Sequence, residues 1–136
     1  MSMIKIKMYK KLLSVTLLAT IVLFAGVVSA EYIPYKGPTG ANKVQEAHSA
    51  KALEHAKVAS THGKAGHASM VTDHALMSLE HAQAAEQLLN GESKAHMTEG
   101  ITHLNEAIKH GNMGHADIAT EHVNEAIVHI NASIGG

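Results

Sequence analysis

Twelve histidines mark this chain like a ruler. They stand at His48, His55, His62, His67, His74 and His81, then at His96, His103, His110, His115, His122 and His129, so the steps within each set read 7, 7, 5, 7, 7. Adding 48 to any number of the first set gives its counterpart in the second. The chain is therefore a duplication whose fixed points are imidazoles, side chains that bind metals and titrate near neutral pH. A step of seven returns a residue to one face of an α-helix after two turns, so three histidines share a face before and after each five-residue step.

The first thirty residues stand apart from this pattern. Lys5, Lys7, Lys10 and Lys11 precede an apolar run from Leu12 to Val28, and Val28-Ser29-Ala30 has the small residues of a signal-peptidase site. Residues 1–30 are expected to be a cleaved secretory signal. The alternative is a retained membrane anchor, for which the run is somewhat short, since a span takes about 20 residues. Lipidation at a lipobox is excluded because the chain has no cysteine.

What remains is 106 residues (136 minus 30), enough for one small domain. It holds seven lysines, no arginine and all twelve acids, a balance of −5 with neutral histidine. Nucleic acid, which wants a basic face, is disfavoured as a partner. No disulfide supplements the core, and after Tyr35 there is no aromatic residue other than histidine. The core must be built from Ala, Leu, Ile, Val and Met, which predicts modest stability without a ligand.

Residues 31–42 contain Pro34, Gly37, Pro38 and Gly40 and read as a flexible leader. The His-rich domain is expected over 43–136, as repeats 43–89 and 91–136. Each repeat contains two Ala-rich stretches parted by a Gly-bracketed link, Gly63 to Gly66 and Gly111 to Gly114, of the kind that ends a helix. Gly91 stops the second helix and Ser93 is placed to cap the third. Four helices are expected near 43–62, 67–89, 94–110 and 115–133. The fold class is all-α, an antiparallel four-helix bundle built from two duplicated hairpins.

With the histidines at heptad position c, position d carries residues such as Ala56, Met97, Leu104 and Ile130, and position a carries Leu53, Leu79, Ile101, Ile108, Ile127 and Ile134. That is a bundle seam. Glu46, Ser49, Ser60, Thr72, Glu86 and Thr120 interrupt it, mostly in the first repeat. Position g is nearly all small, from Ala52 to Ser133, which lets helix axes approach and brings the flanking c positions into register.

Histidines seven apart on one helix lie about 10.5 Å apart along its axis, too far to share an ion. Between antiparallel helices, level positions have a constant index sum. The pairs 62/67, 55/74 and 48/81 each sum to 129, and 110/115, 103/122 and 96/129 each sum to 225. Six cross-helix histidine pairs are thus predicted, and all twelve histidines are candidate metal ligands. Two imidazoles per pair suit a borderline divalent ion. Without thiolates, Cu²⁺ ranks first, with Ni²⁺ and Zn²⁺ as alternatives, and several ions are expected per chain. Glu54, Asp73, Glu80 and Glu121 directly precede a histidine; Glu99, Glu106 and Glu125 lie one turn before one. Each could add an oxygen ligand, orient an imidazole or simply form a solvated face. Met70, Met77, Met97 and Met113 make no motif and read as core or gap filling rather than copper(I) ligands.

The stretch from Gly100 to Ser133, with its His-Leu-x-x-Ala-Ile-x-His-Gly turn, Gly-His link and x-His-x-x-Glu-Ala-Ile-x-His tail, resembles the bacterial small metal-binding protein (SmbP) family. The resemblance extends over Lys43 to Ser133 and includes the duplicated 7-7-5-7-7 spacing. It implies a small periplasmic His-rich four-helix bundle that binds several metal ions, copper(II) foremost, and is associated with sequestration. Those properties carry onto the twelve histidines only; the Tyr-Pro-Gly leader and the Ile-Gly-Gly end fall outside the pattern.

The leading expectation is a periplasmic buffer or scavenger of divalent transition-metal ions, monomeric and free of the membrane once its signal is cleaved. A copper metallochaperone is the alternative and would want one dominant site and a docking face. A pH-responsive helical module is a weaker one, distinguished by lack of saturable metal uptake. Non-covalent bis-histidine haem binding sits poorly with the aliphatic core, and no Cys-x-x-Cys-His is present for covalent attachment. No nucleophile-base-orienter set points to an enzyme.

Overall fold

The computed structural model describes residues 40–135. The expected signal segment and residues 31–39 of the leader lie outside the described residues. Four helices follow one another: α1 (Gly40–Lys64), α2 (Ala68–Glu86), α3 (Gly91–Asn112) and α4 (Ala116–Gly135). They form an up-down-up-down bundle. Helix α1 packs on α2 and α3 on α4 as two hairpins, joined through α2–α3 and α1–α4; α2 and α4 touch lightly across the diagonal. Among the described residues no helix is long and apolar enough to cross a membrane.

Helix ends depart from expectation by one to three residues, for local reasons. Helix α1 starts at Gly40, inside the segment read as a leader, and runs through Gly63 to Lys64. Ser93 is not the cap of α3: that helix begins at Gly91, Asn90 is its extended N-cap residue, and Ser93 lies in the first turn.

The hairpin turns are built alike. Gly66 and Gly114 adopt φ of 78° and 79°, a left-handed conformation that glycine takes without Cβ strain. Gly66 N–H donates to Gly63 O at 2.9 Å and His67 N–H to His62 O at 3.0 Å. Gly114 N–H donates to Gly111 O at 2.9 Å and His115 N–H to His110 O at 3.0 Å. These paired bonds are Schellman motifs, which satisfy helix-end carbonyls and bring the last-turn residue against the one after the glycine. The five-residue step of the ruler is thus the reversal of each hairpin.

The core differs from the a/d seam read in the sequence. All ten g residues (Ala52, Ala59, Val71, Ser78, Ala85, Gly100, Ala107, Ala119, Ala126 and Ser133) are buried, as are most d residues. The a residues Leu53, Leu79, Ile101, Ile108 and Ile127 are only partly buried, and Ile134 is exposed. Small g side chains let the helices close on the d/g edge, which pushes the larger a side chains toward the rim. Four of the five large apolar side chains that are fully buried, Met97, Leu104, Val123 and Ile130, belong to the second hairpin; Val71 is the fifth. Of the methionines read as filling, only Met97 is in the core, whereas Met70, Met77 and Met113 are exposed.

The polar residues that interrupt the seam are mostly paired. Ser78, in the g row, is paired too: its Oγ donates to Ala52 O at 2.8 Å and clips α2 to α1. Ser60 Oγ donates to Asn124 Oδ1 at 2.8 Å and ties the hairpins together. Thr72 and Thr120 bond back to the carbonyls of Ala68 and Ala116, four residues earlier. Between hairpins the backbones meet at two equivalent places: Gly63 lies against Thr120 and Gly111 against Thr72, so closely that a Cβ on either glycine would overlap the threonine hydroxyl.

Candidate metal centre

Helices α1 and α3 carry three histidines each on the c face, beside the buried g row; α2 and α4 carry two, with His67 and His115 at the residue just before each, and the close approach of α1 to α2 and of α3 to α4 turns these faces toward one another. All six expected cross-helix pairs are neighbours. Ring centroids are 5.4 Å apart for His48/His81, 6.0 Å for His55/His74 and 6.0 Å for His62/His67. In the second hairpin they are 5.9 Å apart for His96/His129, 5.7 Å for His103/His122 and 5.9 Å for His110/His115.

The pairs are not separate rungs. His55 also stacks on His81 at 5.7 Å and 7° between ring planes, and His62 on His74 at 5.3 Å and 8°. The second hairpin repeats this with His103/His129 at 5.5 Å and 15° and His110/His122 at 5.5 Å and 14°. The helices are staggered by about half the 10.5 Å histidine repeat, so each inner imidazole sits between two from the other helix. One continuous line results per hairpin, in the order 48-81-55-74-62-67 and 96-129-103-122-110-115. The index sums found the pairs but took them as level, and so missed the diagonal contacts, for which the sums 136 and 232 were the available signal.

The nitrogens are placed for coordination. Nδ1 of His48 and Nδ1 of His81 are 3.1 Å apart, and Nδ1 of His103 and Nδ1 of His122 are 3.4 Å apart. Two nitrogens each at about 2.0–2.1 Å from one ion are separated by roughly 2.9–3.4 Å for angles between square-planar and tetrahedral. These two imidazole pairs therefore fit a shared divalent ion with little movement. Nδ1 of His74, His110 and His129 is buried without a hydrogen-bond partner among the described residues, leaving polar atoms whose desolvation is uncompensated. Ten of the histidines are half-buried, and His67 and His115, at the turns, are exposed. Burial holds the His55 imidazole below the ordinary histidine value; His81 and His74 act the same way and Glu54 opposes them. His55 thus favours the neutral form that a metal needs.

One carboxylate joins the line. Ligand atoms of Glu106, His110 and His122 lie within 4.8 Å of one another, the one group of three or more His/Cys/Asp/Glu with metal-holding geometry among the described residues. His110 and His122 are a diagonal pair, not an equal-sum pair. Glu106 reaches them because it lies four residues before His110, on the same helix face. The acids directly before a histidine, Glu54, Asp73, Glu80 and Glu121, are turned about 100° away and are exposed. Glu99 and Glu125 share the geometry of Glu106 along the helix but are exposed and belong to no such group. Glu92 stands in the same relation to His96 and was overlooked in the sequence; it too is exposed. Lys109 Nζ, 3.1 Å from Glu106, holds that carboxyl below the usual carboxylate range, and the charged forms of His122 and His110 act in the same direction.

The comparison with known proteins agrees with this chemistry. No curated protein matches the chain. A family model described as small metal-binding protein matches residues 10–133, and with the histidine lines inside that span, this chain belongs to the small metal-binding protein family.

Proposed function

We propose that this protein is a periplasmic buffer that sequesters divalent transition-metal ions, Cu²⁺ foremost, taking several per chain as exchangeable cargo between neighbouring imidazoles. The observation that carries the reading is the unbroken line of six imidazoles in each hairpin, with successive centroids 5.3–6.0 Å apart. A catalytic metal site keeps one ion in one fixed set of ligands with an open position. Here an inner histidine has two neighbours, so an ion moves from one pair to the next by exchanging a single ligand. Such sites store and release.

Imidazole-rich, thiolate-free donors favour Cu²⁺ over Zn²⁺ and Ni²⁺ by the Irving–Williams order. Periplasmic residence is supported by the basic, apolar and small-residue order of residues 1–30. Native mass spectrometry of the protein isolated from its own periplasm tests the reading. Several Cu²⁺ ions per chain are expected; a protein carrying none, or a single ion that resists exchange, contradicts it.

A further inference from the structure

The duplication keeps the imidazoles and changes what stands beside them. The position four residues before a histidine faces the same side of the helix, one turn away. In α3 that position is Glu92, Glu99 and Glu106, and in α4 Glu125 fills it before His129. The first hairpin has Val44, Lys51 and Val58 in α1 and Met70 and Met77 in α2. The second hairpin therefore offers carboxylates along its imidazole line where the first offers a cation and apolar groups.

We infer that the two hairpins hold ions through different donor sets and fill in order: the second first, through a mixed imidazole–carboxylate site at Glu106, His110 and His122, and the first afterwards, through imidazoles alone. This rests on the histidine lines being the metal-binding groups.

Subtracting 48 from 106, 110 and 122 gives Val58, His62 and His74. His62 and His74 stack at 5.3 Å, much as His110 and His122 do at 5.5 Å. The two places share their imidazole geometry and differ in the third ligand, so the molecule contains its own control. A further feature favours the second hairpin. Lys51, four residues before His55, is ion-paired with Glu54 at 2.8 Å and offers no ligand to the first line, where Glu99 places a carboxylate beside the second. Lys109 must release Glu106 when an ion binds. Its side chain is 63% exposed, and an exposed ion pair of this kind is weak.

The test is a Cu²⁺ titration of the whole chain followed by ¹H–¹⁵N NMR, in which the paramagnetic ion broadens the amides near it. The first equivalent is expected to broaden signals around His110 and His122 before those around His62 and His74. Even an outer-shell partner is worth about 10–100-fold in metal affinity, so Glu106→Gln is expected to weaken the first site at least tenfold and make the hairpins load together. Val58→Glu is expected to create an equivalent early site in the first hairpin. Parallel broadening of both hairpins in the native chain, or variants that leave the order unchanged, would overturn the inference while leaving the histidine lines as metal sites. Broadening that avoided the histidines altogether would overturn both.

Discussion

The backbone N–H of His67 donates to the carbonyl of His62 at 3.0 Å, so the last histidine pair of the first line is closed by the main chain itself. Gly66, with φ of 78°, makes that closure free of Cβ strain. An alanine there meets no neighbour but must adopt a left-handed backbone. Gly66→Ala is expected to cost about 1–2 kcal/mol in urea denaturation. Gly114→Ala, at the equivalent turn, should do the same.

Gly63→Ala should be costly for a different reason. Its new methyl would overlap Thr120 from the other hairpin. Overpacking of this kind costs about 1–3 kcal/mol, and Thr120→Ala in the same chain, which removes the overlapping hydroxyl but keeps a Cβ 2.9 Å away, should recover part of the loss. A double-mutant cycle with no coupling energy would place the strain elsewhere.

Ser49 is buried, and its Oγ has no hydrogen-bond partner among the described residues. Its counterpart in the second repeat is the core residue Met97. Because an unsatisfied buried polar group costs about 1–3 kcal/mol, Ser49→Ala should leave stability unchanged or raise it, by up to about 1 kcal/mol. Other buried serines should respond oppositely. Ser78→Ala breaks the 2.8 Å bond to Ala52 O, and thermal melts should show it destabilised.

The depressed basicity of His55 sets a direction for pH. Burial makes the folded state prefer neutral imidazole more than the unfolded chain does, so the unfolded state binds the proton more readily. His55 therefore contributes stability that is fully present above the unfolded value near 6.5 and is lost as pH falls through its lower folded value. Urea midpoints of the metal-free chain should decline across that acid window. His55→Gln should flatten part of the decline.

Much of this architecture was legible in the sequence. The seven-residue histidine step, the small g residues and the paired glycines fixed four helices, two hairpins and six cross-helix neighbours. Two things were not. The stagger depends on how far the small g side chains let α1 and α2 slide as they close, a packing outcome that index sums do not contain. The a/d assignment assumed coiled-coil spacing, whereas these helices close on d and g and leave Leu53, Leu79 and Ile127 near the rim. Glu106 was among several candidate acids, and its distinction from Glu99 and Glu125 emerged only from its partial burial beside His110 and His122.

The central claim is that each hairpin is one shared line of imidazoles that takes ions two histidines at a time. Twelve histidines at two per ion give six ions at saturation, when the first ion between His110 and His122 gives way to the pairs His103/His122 and His110/His115. Removing His48 and His67, the two ends of the first line, leaves 81-55-74-62 unbroken, and these still form two pairs through the diagonals His55/His81 and His62/His74. If the pairs were fixed as His48/His81, His55/His74 and His62/His67, the same change would leave one. Native mass spectrometry of the His48→Ala, His67→Ala double variant at saturating Cu²⁺ is the direct test. The shared line predicts a fall from six bound ions to five; a fall to four, or no fall at all, would contradict it.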